Sequence, residues 1–107
     1  MSITIFGLKN CDTCRKALKS CPSATLVDVR ADGISDEFLG AALAQFGEIL
    51  VNKRSTTWRN LDETARQSDP LALLRAHPSL MKRPLIEAEG KLYLGWTKET
   101  QAGLGVG

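Results

Sequence analysis

Apolar and polar residues alternate along this chain with two different periods. Residues 2–6, SITIF, form a short β-branched run that predicts a buried strand, broken at Gly7. Asn10 and Cys11 then stand where a helix can begin, with Asp12 favourable in its first turn. Cys14, Ala17, Leu18 and Cys21 recur at i, i+3, i+4 and i+7, one face of that helix, and Pro22 and Ser23 end it. ATLVDVR, residues 24–30, reads as a second strand, and ADG, residues 31–33, as a turn. SDEFLGAALAQFG, residues 35–47, has a helical period. Ser35 is its N-cap, Phe38, Leu39, Ala42, Leu43 and Phe46 its apolar face, and Gly47 its end. EILVNKR, residues 48–54, starts apolar and turns polar, and shorter helices are expected over 59–67 and 70–77. RPLIEA and KLYLGW, separated by Glu89 and Gly90, read as a β-hairpin. The order is βαβ, then helices, then ββ: an α/β fold with a small sheet, in one domain covering 1–107.

Length and composition agree with that outline. A chain of 107 residues can bury one core without staples, and 43% hydrophobic with 24% charged residues is ordinary for a globular protein. A net charge of +2 gives no argument for direct nucleic-acid binding. No stretch approaches the roughly 20 apolar residues that span a membrane, and no signal peptide is read at the N-terminus. The expected location is the cytoplasm, where a cysteine pair is catalytic or metal-binding more often than structural.

The chemistry concentrates in FGLKNCDTCRKALKSC, residues 6–21. No metal is expected, because a zinc site needs a second ligand pair and the one histidine, His77, precedes Pro78 with no partner nearby in sequence. His77 marks a helix end instead. Cys11 falls at the helix N-terminus, where unpaired amides and the positive dipole end favour a thiolate. Lys9, Arg15 and Lys16 add to that effect and Asp12 opposes it. Cys14 lies one turn on, near enough for a disulfide with modest adjustment, though its place on the apolar stripe equally suits a core-facing thiol. Cys21 is about 15 Å from Cys11 along the helix, too far to bridge to it, and reads as a small buried hydrophobe.

A C-x-x-C motif on a strand-to-helix turn reads as thioredoxin-like. The segments IFGLKNCDTCRKAL, LVNKRSTTWRNLDET and HPSLMKRPLI, in this order, resemble the arsenate reductase (ArsC)/Spx family of the thioredoxin-like superfamily, and most closely its YffB-type members. The resemblance implies a thioredoxin-like fold with a helical insertion between the βαβ unit and the C-terminal β-hairpin. It implies a glutathione-linked thiol-disulfide reductase. Cys11 matches the nucleophile, Arg15 the arginine of C-x-x-x-R, and Lys82, Arg83 and Pro84 the family's basic-Arg-Pro segment. That proline is cis in thioredoxin-like folds and lies beside the active cysteine, so Arg83 is expected toward the Cys11 pocket. Cys14 or glutathione then resolves a mixed disulfide.

Of the three arginines with which arsenate reductases hold their oxyanion, only the one matching Arg83 is clearly present. The first position falls near Asn52, beside Lys53 and Arg54, and the last near Gly95. This departure speaks against arsenate as the natural substrate. Lys9, Asn10, Lys53, Arg54, Arg59 and Pro84 are the expected substrate-binding residues, with the basic loop on the carboxylates of glutathione. Trp58 reads as loop packing before a site wall. No bound cofactor is expected. Glutathione is the co-substrate, with a glutaredoxin or thioredoxin as alternative partner, a small thiol-linked substrate, and a monomeric state. The competing reading is an Spx-like redox-sensing regulator that binds RNA polymerase, because CDTCRKAL resembles the Spx type as well.

Overall fold

The computed structural model describes residues 2–106. Its chain groups into two compact units, one of residues 1–32 with 83–107 and one of residues 33–82.

The first unit is built on a four-stranded sheet in the order β2-β1-β3-β4. Its strands are β1 (Ile3–Gly7), β2 (Thr25–Asp28), β3 (Leu85–Ala88) and β4 (Lys91–Leu94). β1 runs parallel to β2, with Ile5 opposite Leu26, and antiparallel to β3, with Ile5 opposite Ile86. The parallel pair needs a crossover, which α1 (Asp12–Ser20) supplies. The hairpin turns at Glu89 and Gly90, both with positive φ (51° and 80°), the pair of conformations a two-residue type I′ turn requires. One face of the sheet carries the core: Ile3, Ile5, Ile86 and Ala88 pack with Ala17 of α1 and with Cys21, its C-cap. Alternation along β1 puts residues 3, 5 and 7 on this buried side.

Leu104 joins the same core from α6 (Lys98–Leu104), a helix not anticipated from the apolar pattern. Its signals are local. The Thr97 hydroxyl accepts the Thr100 N–H as N-cap, Glu99 sits in the first turn, and Gly105 closes the helix in the left-handed conformation. The helix lies close to β4, because a Cβ on Gly103 would stand 2.5 Å from Tyr93 Cε1.

The second unit is the helical insertion. It holds α2 (Asp36–Phe46), α3 (Thr56–Asn60), α4 (Glu63–Arg66) and α5 (Pro70–Ala76), with 3-10 turns at Gly47–Leu50 and Pro78–Leu80. Ser35 caps α2 as expected, its hydroxyl accepting the Phe38 N–H at 3.2 Å, and Gly47 ends the helix with φ 66°. The short helical segment expected over 59–67 is α4 together with the end of α3, which starts earlier. Ser55 caps the first turn early, Leu61 is extended, and the Asp62 carboxylate restarts a helix by accepting the Ala65 N–H at 2.7 Å. Two cap residues seven apart leave no room for a continuous element. His77 terminates α5. An antiparallel bridge pairs Val51 with Met81, extended by Asn52 N–H to the Leu80 carbonyl and Lys82 N–H to the Leu50 carbonyl, both 2.7 Å. Among the described residues, no helix is long and apolar enough to cross a membrane.

Candidate active site

The first unit brings Cys11, Cys14, Arg83 and Pro84 together from two separate stretches of sequence. β1 ends at Gly7, and a four-residue loop leads into α1. Cys11 is the N-cap of α1, with extended backbone (φ −90°, ψ 122°), and its carbonyl accepts the Arg15 N–H at 3.0 Å. An oxygen-bearing residue is usual at this place. Here a thiol takes it, and the helix's first amides face sulfur.

That setting acts on the thiol in opposing directions. Partial burial is the largest single influence and works against the thiolate. The Cys14 amide, the Cys14 thiol, the Arg83 guanidinium and the Thr13 amide all favour it, and together they win: the Cys11 pKa lies below its ordinary value. The sulfur makes no side-chain cap bond of standard geometry, so the amides act on it chiefly as aligned dipoles.

Cys14 is the opposite case. It is fully buried, and burial pushes its pKa up to about 11. The Leu8 amide works to lower it, while the Cys11 sulfur it faces raises it further. Of the pair, Cys11 is therefore the sulfur that ionises first, and Cys14 keeps its proton as the donor. Gly7 makes room for this arrangement. A Cβ on Gly7 would collide with the Cys14 Sγ and stand 3.3 Å from its Cβ. Cys21 lies in the core, where burial raises its pKa, as suits a small buried hydrophobe. All three cysteines carry free thiols.

The Arg83–Pro84 bond is cis and Pro84 is buried. The Pro84 carbonyl accepts the Gly95 N–H at 2.8 Å. Gly95 has φ 81°, a backbone that a residue with a side chain rarely adopts, so the arginine of the arsenate reductases is disfavoured here by conformation as well as absent. Asn52, near their first arginine, is a turn residue whose side chain accepts the Arg54 N–H at 3.1 Å.

Arg15 and Arg83 have different surroundings. Arg83 reaches the Cys11 sulfur. Arg15 turns back along the loop, its Nε donating to the Lys9 carbonyl at 2.9 Å, with Asp12 at 4.0 Å from its Nη1. Lys9 and Asn10 are exposed on the same loop. A residue that the sequence reading passed over enters here. Asp28, at the end of β2, accepts the Lys9 N–H at 3.1 Å. Its signal was an aspartate closing a strand beside a turn, within VDVRADG.

Lys53, Arg54 and Arg59 belong to the second unit and are exposed. Lys53 lies 3.9 Å from Glu48 and 5.6 Å from the centre of the Trp58 ring. Arg66 covers the ring at the same distance and donates to the Trp58 and Arg59 carbonyls. Trp58 is thus half-buried between two cations rather than in the core, and lines a cleft of about 330 Å³ with Val51 and Leu73.

The same architecture occurs in known proteins. An uncharacterized protein of Haemophilus influenzae is 48% identical, over 94% of this chain and 96% of its own. A solved YffB protein is 31% identical with a TM-score of 0.83, covering 94% of this chain and 96% of the other. The solution structure of an arsenate reductase (ArsC) related protein from Brucella melitensis is 37% identical with a TM-score of 0.71, covering 96% and 93%. The model of the ArsC family matches residues 6–103, which reach into both units and include every site residue named above. With the family model matched over most of its length and relatives 48% and 37% identical across nearly the whole of both chains, this chain belongs to the ArsC family.

Proposed function

We propose that this chain is a glutathione-linked thiol-disulfide reductase with Cys11 as nucleophile. One observation carries the reading: the Cys11 sulfur sits at a helix N-terminus facing the Cys14 thiol and Arg83, and its pKa is lowered. Membership of the ArsC family supports thiol-based reduction in general, and a relative bearing the arsenate reductase name supports it further.

In the proposed reaction, the Cys11 thiolate attacks one sulfur of a glutathione-linked disulfide. A Cys11–glutathione disulfide forms, and the other sulfur leaves as a thiolate that takes a proton from water. A second glutathione thiolate then attacks the glutathione sulfur of that bond. This yields oxidised glutathione and returns Cys11 as a thiolate. Burial is the largest influence on Cys14 and disfavours its thiolate, which favours glutathione over Cys14 as the resolving thiol. Arg83 steadies the thiolate and the sulfur that leaves. Lys53, Arg54 and Arg59 are proposed to hold the tripeptide's carboxylates, with Lys9 and Asn10 as further contacts. The reading places the protein in the reducing cytoplasm.

The test is reduction of a mixed glutathione disulfide, coupled to glutathione reductase, by wild type and Cys11→Ser. Activity lost in Cys11→Ser and kept at least in part by Cys14→Ser supports the reading. Equal activity in wild type and Cys11→Ser refutes it.

A further inference from the structure

The loop presenting Cys11 is fastened one backbone group at a time. The Gly7 carbonyl accepts the Val29 N–H at 2.9 Å, and the Leu8 carbonyl accepts the Cys11 N–H at 3.1 Å. The Leu8 amide is directed at the Cys14 sulfur. Lys9 differs, because both its backbone groups are taken by charged side chains. Its N–H goes to Asp28 Oδ2 at 3.1 Å, and its carbonyl accepts from Arg15 Nε at 2.9 Å. The other Asp28 oxygen accepts the Arg30 N–H at 2.9 Å and the Ala31 N–H at 3.2 Å. One carboxylate thus joins the turn after β2 to the loop after β1. The Lys9 amide, foremost among these donors, holds its pKa below the usual carboxylate value, so the acceptor stays charged through the neutral range.

We propose that Asp28, with Arg15 on the opposite side of the same residue, is a positioning residue for the Cys11 thiolate. Together they clamp Lys9 so that Cys11 keeps its place over the first amides of α1 and beside Arg83. The inference rests on reading Cys11 as the nucleophile. The amides of Thr13 and Cys14 belong to the helix itself, whereas Cys11 is placed by the loop that enters it. Loosening the loop therefore separates the sulfur from the groups that favour its charge.

The sign of the effect separates positioning from simple electrostatics. A nearby carboxylate disfavours a thiolate, so removing its charge alone would lower the Cys11 pKa. Loss of the clamp raises it. Asp28→Asn is informative because it has one oxygen where the carboxylate has two. It can serve the Arg30–Ala31 turn or Lys9, but not both.

The experiment is the pH profile of Cys11 alkylation by iodoacetamide, read by peptide mapping, with thermal unfolding alongside. Asp28→Ala and Asp28→Asn are expected to move the Cys11 midpoint up by about half a unit or more. Asp28→Asn should unfold nearer to wild type than Asp28→Ala. A midpoint unchanged or lowered in both variants overturns the proposal. If the Asp28 variants do not fold, Arg15→Ala and Arg15→Gln decide it, since both lose the charge and only Gln keeps an N–H for the Lys9 carbonyl. A larger rise in Arg15→Ala than in Arg15→Gln supports the clamp, and equal profiles overturn it. A wild-type midpoint at or above the ordinary 9.0 instead overturns the nucleophile reading itself.

Discussion

Replacing Gly7 with alanine should damage the site through one atom. Gly7 is the last residue of β1, in a conformation open to any residue, so alanine carries no backbone penalty there. By restricting the unfolded chain it would even stabilise the fold by about 0.4–1 kcal/mol. The new methyl, however, collides with the Cys14 Sγ and lies 3.3 Å from the Cys14 Cβ. Cys14 is fully buried and the neighbouring strand backbone is fixed in the sheet, so neither gives way cheaply. Overpacking of this kind costs about 1–3 kcal/mol. If Cys14 rotates away, it also gives up the Leu8 amide and its contact with Cys11. Gly7→Ala should therefore be less stable than wild type, with Cys11 alkylated more slowly at neutral pH. Cys14→Ala removes the colliding sulfur and leaves only the Cβ, a tight contact at 3.3 Å that a shift of a few tenths of an ångström relieves. In the double variant Gly7→Ala/Cys14→Ala the collision is gone, and the methyl occupies part of the space the sulfur left. Urea unfolding of the four proteins should give a favourable coupling of about 1–3 kcal/mol between the two substitutions. Additive effects would refute the packing argument.

Arg83→Ala should raise the Cys11 pKa. A charge-assisted hydrogen bond contributes about 1.5–3 kcal/mol, and the higher intrinsic nucleophilicity of the more basic thiolate offsets roughly half of it, so mixed-disulfide formation at neutral pH should slow about three- to tenfold. An unchanged alkylation profile in Arg83→Ala would remove Arg83 from the site. Limiting iodoacetamide at neutral pH should label Cys11 before Cys14 and Cys21, and early labelling of Cys21 would contradict the burial assigned to it. Because the folded pKa of Cys14 is raised to about 11, its contribution to stability is complete below the ordinary 9.0 and is lost as pH rises toward 11. The stability gap between wild type and Cys14→Ala should accordingly narrow over that range, and a gap that widens would reverse the assignment. Arsenate reduction should be weak or absent, since by resemblance two of the three arginines with which arsenate reductases hold their oxyanion fall at or near Asn52 and near Gly95, where this chain has none that clearly matches; saturable reduction with glutathione and glutaredoxin would contradict this.

The strand, the helix with its Cys14–Ala17–Leu18–Cys21 face, the Ser35-capped helix and the hairpin were all legible, because each combines a clear period with a clear stop. The split of residues 59–67 was legible only in its caps. Ser55 and Asp62 were both present in the sequence, but a short polar segment offers no apolar period to weigh against them. α6 escaped for the same reason: seven residues with Gly103 among them carry little periodic signal, and only Thr97 and Glu99 mark its start. In the site, Cys11 could be placed at a helix N-terminus from spacing, whereas Arg83 and the cis proline came from family resemblance, since nothing in a lone Arg-Pro pair indicates its isomer or its neighbour. Asp28 and the close approach of Gly7 to Cys14 depend on which strand exits beside which loop. Such a juxtaposition is created by sheet order and is invisible along the chain.

The central claim is that Cys11 is the thiolate that takes glutathione. Intact mass and peptide mapping of the fully reduced protein after brief exposure to oxidised glutathione at neutral pH address it directly. The account predicts a single glutathione adduct on Cys11, formed at a similar rate in Cys14→Ser and absent in Cys11→Ser. An adduct on Cys21, or an equal yield in Cys11→Ser, would contradict it.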